Sequence, residues 1–223
     1  MTSTPRSTRT RKDPAERRAE ILETAAQLAL DQGLERVTMQ LVAQELGVRP
    51  GLISHYFAAI DALLCEAFAR AVTRERAALL PESESGLSPT RRMSRFVHRV
   101  GDPGFDNLGR LWLNARHLAR YRPTLRQVVA EQEAIMRDEL TAVIEDGVRT
   151  GEFSTDDPHR ACVVVLVVVD GLDSYANADS ALPHPVLDTL VFRTAEHELG
   201  LPEGGLRDSA PGGKPPGQVP QGE

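Results

Sequence analysis

The apolar positions of this chain recur mostly at three- and four-residue spacing, the period of helices that bury one face. Ile21, Leu22, Ala25, Leu28 and Ala29 make the first such stripe. Asp13 stands where an N-cap belongs, Pro14 at the first helical position and Gly33 at the stop. Thr38 is a second N-cap, ahead of "MQLVAQEL" and Gly47. A helix restarts within four residues at "PGLISHYF", and Leu63, Leu64, Ala67, Phe68 and Ala71 mark another that begins near Asp61. Residues 81–89 read as a loop. Helical patterns resume over 90–101, 106–121 and 124–150, with a break at Gly151, and a last amphipathic helix covers 186–199.

The segment 160–178 departs from this pattern. Its run "ACVVVLVVV" has strand propensity. Yet no other segment offers a strand partner, and a lone strand leaves its backbone groups unpaired. We therefore read it as a helix buried all round. The run is nine residues long, against roughly 20 for a membrane span. The expected fold is all-α, with about nine helices.

Composition adds little to this and charge adds more. Forty-one per cent hydrophobic residues is ordinary for a soluble globular chain. Cys65 and Cys162 stand apart with no CxxC, so neither a disulfide framework nor a zinc site is indicated, and a reduced, cytoplasmic setting is the default. The N-terminus is basic and polar without an apolar core, unlike a secretory signal. Net charge is −6, but residues 1–60 hold 8 basic against 7 acidic side chains, so the acidic excess lies beyond them. Arg6, Arg9, Arg11 and Lys12 form a local basic arm, and local charge is what a phosphate backbone feels within a Debye length of roughly 8 Å. Residues 1–13 are expected to be a disordered basic arm, and the Pro/Gly-rich 201–223 a disordered tail.

Two short helices joined by a glycine-containing turn, over 38–57, make a helix-turn-helix pattern. Ala43 is the small residue required where the helices cross, and Gly47 supplies a left-handed turn residue. Leu46 and Val48 flank it as anchors, and Ile53 and Phe57 face inward. Gly51, Ser54 and His55 then point outward with Tyr56 at the border, groups suited to base edges and phosphates in a major groove. Thr38, at a helix N-terminus, is placed to meet a phosphate.

Two other classes compete. An enzyme finds little support: Ser54 and His55 are helix neighbours about 100° apart, which does not make a nucleophile–base pair. No GxSxG, no Gly-rich phosphate loop and no metal-ligand spacing occurs, so no catalytic residue, metal or cofactor is assigned. A helical adaptor that binds only protein would leave Gly51, Ser54, His55 and the basic arm without a purpose.

The run "ILETAAQLALDQGLERVTMQLVAQELGVRPGLISHYFAAIDALL" resembles the DNA-binding domain of the TetR family of one-component transcriptional regulators, collinearly over about 15–75. "GLISHYF" is further similar to the branch related to the repressor of choline-to-betaine genes. The resemblance implies a homodimeric repressor: a DNA-binding domain over 14–75, and an effector-binding and dimerisation domain over 76–200. Such a protein binds a palindromic operator and is released by a small-molecule effector. By position, Thr38, Gln40, Arg49, Gly51, Ser54, His55 and Tyr56 become the expected DNA contacts, with Gln40 and His55 as base readers. One departure is Ile60, where the family commonly has a phosphate-binding lysine. "GEFSTDDPHRACVVVLVVVDGL" resembles the segment entering the dimerising helix, so helices 160–178 and 186–199 are expected to form a four-helix bundle across a two-fold axis.

The effector pocket is expected among helices 90–151, with Trp112, Asn114, Arg116, His117, Tyr121, Glu133, Met136 and Asp170 as candidates. Glu133, Asp170 and Asp173 favour a cationic effector, with Trp112 as its cation–π partner.

Overall fold

The computed structural model describes residues 13–177 and 184–207. Residues 1–12 of the expected basic arm (1–13) lie outside the described residues, as does the tail beyond 207, while Asp13 caps the first helix. Among the described residues there are nine α-helices, three short 3₁₀ turns and no strand.

Local chemistry sets the helix ends as the spacing predicts. Asp13 Oδ1 accepts from the Ala15 N–H at 2.7 Å and opens α1 (Pro14–Gln32). Thr38 Oγ1 accepts from the Leu41 N–H at 3.1 Å and opens α2 (Met39–Glu45). Gly47, at φ +62°, turns the chain into α3 (Pro50–Tyr56). A residue with a Cβ is strained there. Ala43, Ile53 and Phe57 are buried at the crossing, and Leu46 and Val48 pack half-buried against it. α4 (Ile60–Leu79) then runs back along α1, joined to it by the Arg18–Glu66 pair at 2.6 Å.

The rest is a second helical layer: α5 (Pro89–Val100), α6 (Asp106–Ala119), α7 (Pro123–Thr150), α8 (Pro158–Ala176) and α9 (Leu187–Glu198). The two halves share one core through α4 and α6. α6 is hooked to the end of α1, because Arg110 donates to the Leu30 and Asp31 carbonyls at 2.8 and 3.0 Å.

Residues 160–178 are helical over Pro158–Ala176, as the missing strand partner requires. The expectation of burial all round does not hold. Ala161, Cys162 and Val165 are buried, whereas Val167 is 62% and Tyr175 51% exposed. A helix apolar on every face needs neighbours on every side, and within the protomer α6, α7 and α9 cover only part of it.

The tail expectation also fails at its start. Residues 201–207 fold back on α5 and α9 because Leu206 gives them an apolar anchor, fully buried. Its N–H donates to Glu196 at 3.1 Å, its carbonyl accepts from the Ser94 hydroxyl, and Arg207 lies over the Phe192 ring.

α7 ends at Gly151, φ +76°, and the chain lays Phe153 directly on Gly147. A Cβ at Gly147 would overlap the buried Phe153 ring. Gly147→Ala should therefore destabilise the protein by about 1–3 kcal/mol despite its better helix propensity. Urea unfolding measures this, and a variant as stable as wild type would show that the ring moves freely.

Candidate functional site

The expected DNA-facing residues lie on and beside α2 and α3. Its rigidity follows from Ile53 and Phe57, buried one turn apart, with the Arg18 guanidinium 4.7 Å from the Phe57 ring centre. With that edge fixed inward, Arg49, Gly51, Ser54 and His55 are exposed and Tyr56 is half-buried. The rings of His55 and Tyr56 meet edge-on at 5.2 Å. Ser54 Oγ reaches Met39 Sδ at 3.5 Å, which sets α3 beside the start of α2, where Thr38 and Gln40 are exposed. Six of the seven expected DNA contacts are therefore exposed on or at the ends of two helices packed on each other, with Tyr56 half-buried. Among the described residues, Gln40, Arg49 and His55 have no side-chain hydrogen bond or ion pair. A Cβ at Gly51 would meet nothing within 4 Å, so nothing inside the chain requires glycine there. Ile60 is half-buried against the core as the first residue of α4.

The second feature is a cavity of about 240 Å³ in the other half. α4 contributes Val72, Arg76 and Leu79 to its wall, α5 Phe96, α6 Trp112 and Arg116, α7 Glu133 and Met136, and α8 Leu166, Asp170 and Asp173. It is thus wider in origin than helices 90–151, since α4 and α8 also wall it. Five of the eight expected ligand residues line it: Trp112, Arg116, Glu133, Met136 and Asp170. The other three do not. Asn114 faces Glu35 at the α1 side of α6, while His117 is exposed and Tyr121 is 73% exposed, the two rings meeting edge-on. Phe96, Phe105 and the α4 residues were not anticipated, because nothing in their spacing separates a cavity wall from ordinary core.

The polar end of the cavity is a charge cluster. Arg116 donates from Nε to Glu133 at 2.8 Å, pairs through Nη2 with Asp170 at 2.9 Å, and lies 5.2 Å from the Trp112 ring centre. Burial pulls the Arg116 pKa down, but the hydrogen bonds to Asp170 and Glu133 outweigh it and hold the guanidinium above its usual value. Asp173 has no such partner. Burial first, then the Asp170 charge, push its carboxyl from 3.8 up to about 6, with Arg116 opposing and Asp106 adding. It lies so close to α6 that a Cβ at Gly109 would overlap its carboxyl carbon.

Comparison with known proteins bears on both features. The model of bacterial regulatory proteins of the tetR family matches residues 21–67, and that of the BetI-type transcriptional repressor C-terminal domain matches residues 89–198. A probable HTH-type transcriptional regulator, ArpR of Pseudomonas putida, is 26% identical over 181 residues, covering 74% of this chain and 81% of its own. A TetR-family regulator from Rhodococcus sp. aligns with a TM-score of 0.62 at 27% identity, over 83% of this chain and 96% of that one. A regulator from Saccharomonospora viridis, solved in complex with choline, aligns with a TM-score of 0.71 at 22% identity, over 83% and 98%. Among the described residues no single helix is long and apolar enough to cross a membrane. With both halves matched in order, the chain belongs to the tetR family of bacterial regulatory proteins and is a transcriptional regulator rather than an enzyme.

Proposed function

We propose that the protein is a cytoplasmic repressor that binds a palindromic operator as a homodimer and leaves it when a small organic cation fills the cavity. The observation that carries the reading is the set of exposed polar groups along α2 and α3, held outward by the buried Ile53–Phe57 edge, of which Gln40, Arg49 and His55 have no side-chain hydrogen bond or ion pair among the described residues. Gln40 and His55 read base edges. Thr38, Arg49, Ser54 and Tyr56 bind phosphates, and Gly51 lets a sugar-phosphate strand come close. The hydroxyl oxygen of Thr38 accepts within its own helix cap, which leaves its proton free to donate. Residues 14–75 act as the reading domain and 76–200 as the effector and dimerisation domain.

Dimerisation runs through α8 and α9. The exposed Val167 and Tyr175, with Gly171 between them, form an apolar stripe on α8 suited to a two-fold four-helix bundle. The cation reading has two supports. Trp112 shares a largely apolar cavity wall with three carboxylates and three arginines, and one of the carboxylates, Asp173, has no ion-pair partner among the described residues; an aromatic face with a free carboxylate suits a quaternary ammonium group. The S. viridis regulator of similar fold was solved with choline.

Titrating operator DNA by fluorescence anisotropy tests the reading. Affinity should fall on the order of 10³-fold between 50 and 200 mM salt if about six phosphates are neutralised. Tyr56→Ala should cost about tenfold, the effect of losing a hydrogen bond to a charged group. Salt-indifferent binding, unchanged by Tyr56→Ala, would instead favour a protein-binding adaptor.

A further inference from the structure

We infer that Arg116 is a built-in ligand of the cavity: it fills the cation subsite of Trp112, Glu133 and Asp170 while the protein holds DNA, and gives it up when an external organic cation arrives. The inference rests on the regulator reading above and concerns what the unliganded cavity does. Three observations meet on this side chain.

First, the guanidinium occupies the position a ligand cation would want. It lies over an aromatic face, between two carboxylates, at 2.8 and 2.9 Å from their oxygens. Second, one carboxylate of the cavity stays without a partner while Arg116 is in place. Asp173, one turn beyond Asp170 on α8, has no ion pair or side-chain hydrogen bond among the described residues. Of the other cations in the wall, Arg76 is bound to Gln132 and Glu139, and neither it nor Arg137 pairs with Asp173, on which Arg116 is the cation that acts. Third, the residues come from three helices. Arg116 is on α6, Glu133 on α7 and Asp170 on α8, so one side chain ties three walls together.

The consequence is linkage. An internal competitor lowers the apparent affinity of an external ligand by the fraction of time it occupies the site. Because the tie exists only while Arg116 is in place, ligand entry and loss of the tie are one equilibrium, and the ligand discriminates between the two states. The same helix carries Arg110, six residues earlier, which holds the end of α1 by its carbonyls. Loosening α6 at Arg116 is therefore felt at the reading half.

Trp112 is the one tryptophan of the chain, so its fluorescence reports on the subsite directly. The full-length protein is titrated with choline and with its uncharged isostere, in which carbon replaces the quaternary nitrogen. Wild type should bind choline and not the isostere. Arg116→Met should bind choline about tenfold more tightly, the effect of removing one competing charge at this distance, and should bind operator DNA several-fold more weakly. Arg116→Lys, which keeps the charge but cannot bridge both acids in a plane, should fall between the two. If circular dichroism shows Arg116→Met unfolded, the Lys variant decides alone. Choline affinity unchanged or weakened in these variants, with wild type binding choline, overturns the internal-ligand role and leaves the cation reading standing. Failure of choline to bind wild type and every variant removes the cation reading and the inference with it.

Discussion

Gly171→Glu should convert the protein from dimer to monomer without unfolding it. Gly171 is exposed on α8, and a Cβ there meets nothing within 4 Å, so the protomer has room for the new side chain. Glutamate also raises helix propensity over glycine by roughly 0.5–1 kcal/mol, so the protomer should melt no lower than wild type. In a two-fold interface the substitution appears twice, setting two carboxylates near each other in an apolar seam. Burying unpaired charge costs several kcal/mol, more than a helix pair of this size recovers. Operator affinity should fall by about 100-fold or more, because a monomer loses the effective concentration that tethers the second half-site. Light scattering and DNA titration on one preparation measure both effects. A folded variant that remained dimeric would move the interface off this face of α8.

Asp173→Asn should have opposite effects on stability and on binding. The folded-state pKa of Asp173, about 6, stands above its ordinary 3.8, so the folded chain binds more protons than the unfolded one between those values. Stability contributed by this group is full at pH below 3.8 and is lost as pH rises to about 6. Asparagine removes the charge, so the variant should gain stability above pH 6, by about 1–2 kcal/mol once solvent in the cavity is allowed for. The gain should vanish near pH 4. Choline affinity should fall at least tenfold, and the rise of wild-type affinity with pH through about 6 should be absent. Thermal unfolding and choline titration from pH 4 to 8 check both. A variant that bound choline like wild type would take Asp173 out of the effector subsite. A residue that costs stability and serves binding is the trade expected at a functional site.

Most helices were legible in the sequence because each buries one face, and the period of that face survives in a single chain. The exposed face of α3 was legible for a related reason. Once Ile53 and Phe57 are inward, helical geometry sends Ser54 and His55 outward. The valine-rich α8 required a tertiary argument, since its local propensity points to a strand. The cavity was only half legible. Trp112 and Arg116 are one turn apart on the inner face of α6, whereas Asn114, His117 and Tyr121 follow a different stripe of the same segment. Chemistry alone picked all five; periodicity would have separated them. The α4 wall was hidden because its apolar residues look the same beside a cavity as beside packed core. The order of residues 201–207 is hidden because a Pro/Gly-rich composition masks their one fully buried anchor, Leu206.

Selection of bound fragments from sheared genomic DNA of the source organism by the purified protein, at about physiological salt and with and without choline, asks whether it is a choline-released operator-binding dimer. An inverted repeat with half-sites about 10 base pairs apart or a multiple of it should be enriched, less so with Tyr56→Ala, and released by choline. Recovery of fragments without any shared inverted repeat would contradict that reading.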